Sequence, residues 1–339
     1  MSTNMPMKKT RFIYYPLLLV AVTFMLAGCG RSTPETQPSS PVAEKTLVPE
    51  KIRVAYAPVV LNIPLYLGLS RGVFQSNGIT IDAKVFTSAN EMINAVIADQ
   101  VDAVTGVSLV PILNLEAQQP GRVHVILHSR MTDDQPYDGL VVKTDSTIQT
   151  LNDLKGHKVG LYPGTTAINL LKAFLKKKGI APEDVTFVPL PPASHVSALQ
   201  SGAVDVLFAY DPTLTTLLQQ GGFRRLHGSV FVAMLNPSPI SSSIVSRKFE
   251  REHPEAARRF IQALDQSVLM ARQDPVDARL SLTNFTKLSL EVIPHVSLVA
   301  DTLSTETSES SLQQFIDLMV EIGELPKQIA AKDLLSPTQ

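Results

Sequence analysis

Residues 52–106 read IRVAYAPVVLNIPLYLGLSRGVFQSNGITIDAKVFTSANEMINAVIADQVDAVTG, and the order of patterns in this stretch sets the fold class. Ile52 to Tyr56 alternates apolar and polar side chains, the period of a strand with one buried face. Ile79, Ile81, Ala83 and Val85 repeat that period on a second strand. Between them, Pro64 to Gly72 suits a short helix opened by proline, whose missing N–H costs nothing in a first turn. Glu91 to Asp99 is helical, with Met92, Ile93, Val96 and Ile97 forming an apolar stripe. A strand at 102–106, a helix near 109–118 and a strand at 123–128 continue the series. Such alternation predicts an α/β fold on a mainly parallel sheet with right-handed crossovers.

The pattern then restarts. Gly139 to Val142 and His157 to Tyr162 read as strands, and Thr166 to Lys178 as a helix burying Ile168, Leu171, Phe174 and Leu175. A strand at 185–190, a helix at 194–201 and a strand at 204–209 follow. Beyond residue 235 the pattern is helical, with apolar faces at 254–272 and 312–322. Two lobes are therefore expected, 51–135 with about 236–335 and 136–235. Their crossings near 133–138 and 228–238 would make a hinge.

Ahead of residue 51 the chain carries an address. Lys8, Lys9 and Arg11 precede an apolar run from Phe12 to Leu26, the charged and apolar parts of a secretory signal. Leu26-Ala27-Gly28-Cys29 resembles a bacterial lipobox, which implies removal of residues 1–28 and lipidation of Cys29. Residues 30–49, rich in Pro, Ser and Thr, read as a tether with a reach of roughly 25 Å, so that lipidated cysteine and tether together span 29–50. Cys29 is the only cysteine, which excludes a disulfide framework and a cysteine-based metal site. Removing residues 1–28 takes three of the 30 basic residues and none of the 31 acidic ones, a formal balance of −4. That charge argues against nucleic acid as a partner.

The motifs of residues 52–106 strongly resemble the first lobe of ABC-transporter substrate-binding proteins of the sulfonate, taurine, nitrate and thiamine-pyrimidine type. Asn62-Ile63-Pro64, Gly72-Val73-Phe74, Gly78-Ile79, Ser88 and Val101-Asp102-Ala103 carry that resemblance. Asp153-Leu154-Lys155-Gly156, Gly164-Thr165-Thr166 and Gly202-Ala203-Val204-Asp205 extend it to the second lobe. It covers about 51–275 and implies a two-lobed periplasmic-binding-protein fold closing on a small solute. The solute would pass to an ABC permease and its ATPase, with no catalysis, no cofactor and no metal. The protein would be a monomer held at the membrane by lipid, facing the periplasm or cell exterior.

Nine residues are candidates for the ligand site. Gly164, Thr165 and Thr166 follow a strand and open a helix, so backbone N–H groups and hydroxyls converge on the positive helix end, a setting for sulfonate, carboxylate, phosphate or nitrate. Tyr66 could present its ring and hydroxyl to a cleft, with Tyr210 closing from the opposite side. Ser88 and Ser108 follow strand ends, where ligands gather in open sheets, and each could equally cap a helix; Asn62 could bind ligand or cap the helix opened by Pro64. Asp211 could take an ammonium group or cap the helix at Pro212. His124 and His128 alternate on a strand and read as packing. With no tryptophan, any stacking must come from Tyr or Phe.

Two other functions compete with solute import. A sensory or partner-binding lipoprotein could use the same fold. A thiamine-pyrimidine-synthase-like enzyme shares it too, but needs a cysteine cluster and a histidine-bearing site that this sequence lacks.

Overall fold

The computed structural model describes residues 49–336. The lipobox cysteine, the leader and residues 30–48 of the tether lie outside the described residues. In chain order the first elements are β1 (Glu50–Tyr56), α1 (Ile63–Ser70), α2 (Val73–Ser76), β2 (Ile79–Val85), α3 (Ala89–Ile97), β3 (Ala103–Ser108), α4 (Leu109–Gln118) and β4 (Val123–Met131). Next come β5 (Asp138–Lys143), β6 (Lys158–Leu161), α5 (Thr165–Lys177), β7 (Thr186–Pro189), α6 (His195–Ser201), β8 (Val206–Tyr210), α7 (Thr213–Gln220), β9 (Phe223–His227) and α8 (Val230–Met234). The chain finishes with β10 (Ser238–Ser246), α9 (Arg247–Glu252), α10 (Pro254–Gln273), α11 (Pro275–Leu280), β11 (Ala300–Asp301) and α12 (Glu309–Glu321). Among the described residues no helix is long and apolar enough to cross a membrane.

Two sheets carry the molecule. One runs β11-β4-β10-β3-β1-β2 and the other β7-β6-β8-β5-β9. Their centres are built alike. β1 pairs in parallel with β2 and β3, and β6 pairs in parallel with β7 and β8. An aspartate ahead of the third strand locks each trio. Asp102 Oδ2 accepts the Arg53 N–H at 2.8 Å and its own N–H donates to the Arg53 carbonyl at 2.8 Å. Asp205 does the same to Lys158, at 2.8 and 2.9 Å. This is the physical content of the Val-Asp pairs at 101–102 and 204–205. The Arg53 guanidinium also grips Asp102, with Nε 3.0 Å from Oδ2.

The sheets are more mixed than alternation alone predicts. β10 runs antiparallel between β3 and β4, and β5 runs antiparallel between β8 and β9. β10 corrects the expectation that the chain is helical beyond 235. Its sequence, SPISSSIVS, hides the apolar period because serines fill its buried positions: Ser238, Ser241, Ser242, Ser243 and Ser246 are all buried.

The β4 histidines have different partners. His124 Nδ1 lies 2.5 Å from Glu250 Oε2 of α9, a carboxylate remote in sequence. His128 is buried, its Nδ1 2.7 Å from Ser242 Oγ and its Nε2 without a partner. Burial drops the His128 imidazole to a pKa of about 3. The unfolded chain takes up that proton near pH 6.5 and the folded one does not, so this stability is whole above pH 6.5 and is lost as pH falls toward 3. Asp138 and Asp301, pushed up by burial to about 6 and about 7, act in the opposite sense, gaining stability as pH falls toward 4. Both carboxyls remain in His128→Leu. Between pH 7 and pH 5 the unvaried protein should therefore lose about 2 kcal/mol more than that variant, at about 1.4 kcal/mol per pKa unit. Urea midpoints across that range measure the difference, and parallel pH profiles would remove His128 as its source.

Candidate ligand-binding cleft

A cleft of about 1150 Å³ opens where strands of both sheets end. Ser88 stands between β2 and α3, and Ser108 ends β3 directly ahead of α4. Gly164 lies between β6 and α5, which Thr165 and Thr166 open; Tyr210 ends β8 and Asp211 follows it ahead of α7. All seven line this cleft, at the carboxyl ends of parallel strands where adjacent connections diverge and leave a crevice. They divide by what their side chains already do. Ser88 Oγ accepts the Glu91 N–H at 3.2 Å and so caps α3 while lining the cleft. Ser108 makes no capping bond. Gly164 has φ +128 and ψ 161, a conformation that glycine adopts freely, and nothing lies within 4 Å of where a Cβ would stand.

Asp211 is committed elsewhere. It is 2% exposed, Oδ1 accepts the Thr215 N–H at 2.9 Å, and Oδ2 accepts the Ser297 N–H at 3.1 Å. It caps α7 and ties that helix to the loop before β11. Two other candidates fall outside the cleft lining. Tyr66 is fully buried, stacked 4.5 Å from Phe285, and its hydroxyl donates toward the Ala57 and Val59 carbonyls at 3.0 and 3.1 Å. Burial raises that phenol well above its ordinary pKa. Asn62 is buried too, and its Nδ2 donates to the Ala57 carbonyl at 2.8 Å. Both brace the 57–62 loop, because an apolar helix start buried under a turn must satisfy the turn's carbonyls from side chains.

Sequence reasoning missed three parts of the cleft. The first is an aromatic wall of Tyr137, Tyr162 and Phe231 around Tyr210. Tyr162 meets Tyr210 edge-on at 4.8 Å, and Phe231 lies 6.0 Å from it. Burial raises the phenols of Tyr137 and Tyr210 well above 10, so both are neutral donors at any ordinary pH. Tyr162 had a signal, as the last residue before Pro163-Gly164. The second is a set of amides, Asn90 and Asn94 one turn apart on α3 and Asn114 on α4, all of which line the cleft. The third is Glu324, after α12, which nothing local in the sequence marks. Its carboxylate takes hydrogen bonds from Thr165 Oγ1 at 3.1 Å, Thr166 Oγ1 at 2.7 Å and Asn169 Nδ2 at 2.7 Å. Among the described residues the lining holds no lysine, arginine or histidine.

Two α/β sheets with a cleft at their strand ends constitute the fold of periplasmic binding proteins. The chain belongs to the NMT1/THI5-like family, which matches residues 62–278. A Bacillus subtilis (strain 168) protein named for binding aliphatic sulfonates is 24% identical over 325 residues, covering 95% of this chain and 94% of that one. The crystal structure of the periplasmic aliphatic sulphonate binding protein SsuA from Escherichia coli superposes with a TM-score of 0.71 at 22% identity, over 85% of this chain and 97% of that one. The desulfurization enzyme DSZB shares the fold as well, with a TM-score of 0.66 at 17% identity, over 85% and 96% of the two chains.

Proposed function

We propose that this chain is a lipid-anchored extracytoplasmic receptor that captures a small organic acid, foremost a sulfonate, and delivers it to an ABC permease and its ATPase. One observation carries this: the start of α5, with the Thr165 and Thr166 hydroxyls, faces an aromatic wall in a cleft lined from both sheets. An acid head would take the polar donors and an organic tail the rings. The family membership and the sulfonate-named relative support the same class of solute. Residues 51–135 with 236–335 form one lobe and 136–235 the other, and closure brings both onto the solute. The polar lining is hydroxyls, amides and carboxylates already bonded, a set that holds a solute rather than activates it. The chain thus acts as a binder, although an enzyme shares its fold.

The test is a panel of alkane- and arenesulfonates, nitrate, carboxylates and pyrimidines, added to the detergent-solubilised full chain. A true solute at 100-fold over its dissociation constant raises stability by about 2.7 kcal/mol. A panel that leaves the melting point unmoved would refute the proposal. Tyr162→Leu keeps apolar volume but removes a ring, so benzenesulfonate should bind about fivefold more weakly, in line with roughly 1 kcal/mol for an aromatic pair. Methanesulfonate, too small to reach the wall, should change less than twofold; equal losses would make Tyr162 a support for α5 instead. Cys29→Ala should shift the protein from the membrane fraction to the soluble one, and retention would dismiss the lipid anchor.

A further inference from the structure

Glu324 stands out because it places a carboxylate on donors suited to an acid ligand. It follows α12, whose end holds it in place: the Glu324 and Leu325 N–H groups both donate to the Met319 carbonyl, at 2.8 and 3.1 Å. α12 packs on β10 of the six-stranded sheet, whereas α5 belongs with the five-stranded one. The contact therefore joins the two sides of the cleft. Three donors converge on the two carboxylate oxygens, two hydroxyls on Oε2 and one amide on Oε1. No cation among the described lining residues offsets the charge, and the other lining carboxylate, Asp211, is spent on backbone N–H groups. The hydroxyl donors at the start of α5, and the Asn169 amide one turn along, are filled by the protein itself.

We infer that Glu324 is a resident occupant of the acid-binding donors of α5, that an incoming acid head must displace it, and that it thereby selects ligands bringing a positive group beside the acid. This rests on the proposed function in taking the cleft as the solute site. A free anion needs the same three donors, and a tethered carboxylate competes at high effective concentration. Once displaced, Glu324 remains beside the ligand with no arginine or lysine to neutralise it. A plain anion then meets a like charge in a partly desolvated cleft, whereas a ligand with an ammonium group supplies its partner. The residue would thus depress affinity for simple anions and spare zwitterions.

Ethanesulfonate and 2-aminoethanesulfonate, which differ by one amine, test this by calorimetry on the full chain and on Glu324→Gln. The unvaried protein should prefer the amine-bearing probe by at least tenfold. Glu324→Gln should bind ethanesulfonate at least tenfold more tightly than the unvaried protein and lose most of the preference. Equal ethanesulfonate affinities in the two proteins, or a weaker one in the variant, would overturn the inference while leaving sulfonate capture intact. Hydrogen exchange separates the two ideas further. Without ligand, Glu324→Ala should speed exchange across Thr165–Asn169 several-fold, and unchanged exchange would overturn the resident contact. If no solute binds either protein yet exchange quickens, the proposed function fails and Glu324 still holds α5.

Discussion

Asp211→Ala is expected to cost about 3 kcal/mol of folding stability, seen as a fall of about 5 °C in the thermal midpoint. The carboxylate is buried and accepts one N–H from Thr215 and one from Ser297. Removing it strands two donors at once, each worth roughly 1–3 kcal/mol when left buried without a partner. One belongs to the first turn of α7, where a lost cap alone typically costs about 1 kcal/mol. The other holds the 295–297 loop, which also touches α7 through Thr215 Oγ1 and the His295 carbonyl, 3.4 Å apart. Asp211→Asn keeps one acceptor oxygen and should lose about half as much. Because both oxygens are engaged, affinity for a bound sulfonate should change less than threefold wherever the variant is folded. A stable Asp211→Ala that no longer binds solute would instead make the carboxylate a ligand contact.

The parts that could be read in advance are those whose cause is local. β1, β2 and α3 announce themselves because one face of each must be apolar, and the period of that face differs between strand and helix. The Ser88, Ser108, Gly164 and Tyr210 positions could be placed at strand ends because strand-to-helix turns need small, polar or capping residues there. What stayed hidden depends on partners far along the chain. β10 buries serines among neighbouring strands, so its hydropathy is that of a loop. Asn62 and Tyr66 have the chemistry of ligand residues, but the carbonyls of Ala57 and Val59, bent inward by a turn, claim them first. Asp211 left two roles open in sequence, and only the approach of Ser297 decides between them. Glu324 lies 155 to 159 positions from the side chains its carboxylate touches.

Gly106→Ala is the second large effect expected, about 3 kcal/mol of stability together with at least a tenfold loss of solute affinity. Gly106 sits in a bulge of β3: Ser242 pairs with Val107 and Ile244 with Val104, so Thr105 and Gly106 together face the single Ser243. Its φ is +57, where a side chain costs roughly 1–3 kcal/mol. A Cβ there would stand 2.5 Å from Asn62 Oδ1 and 2.7 Å from the Leu61 carbonyl oxygen. Neither can withdraw easily, because Asn62 is tied to Ala57 and Tyr66 pins the same turn from below. Overpacking of this kind costs typically 1–3 kcal/mol more. The strain reaches the cleft by two short routes, through Leu61, which lines it, and through Ser108, two residues along the same strand. Gly106→Ala/Asn62→Ala removes the side-chain clash but not the carbonyl clash or the positive φ, so it should melt higher than Gly106→Ala if the clash outweighs the lost Asn62 bond. A single variant melting within 2 °C of the unvaried protein would show that the 57–62 turn yields, and that Ser108 is placed by α4 rather than by the bulge.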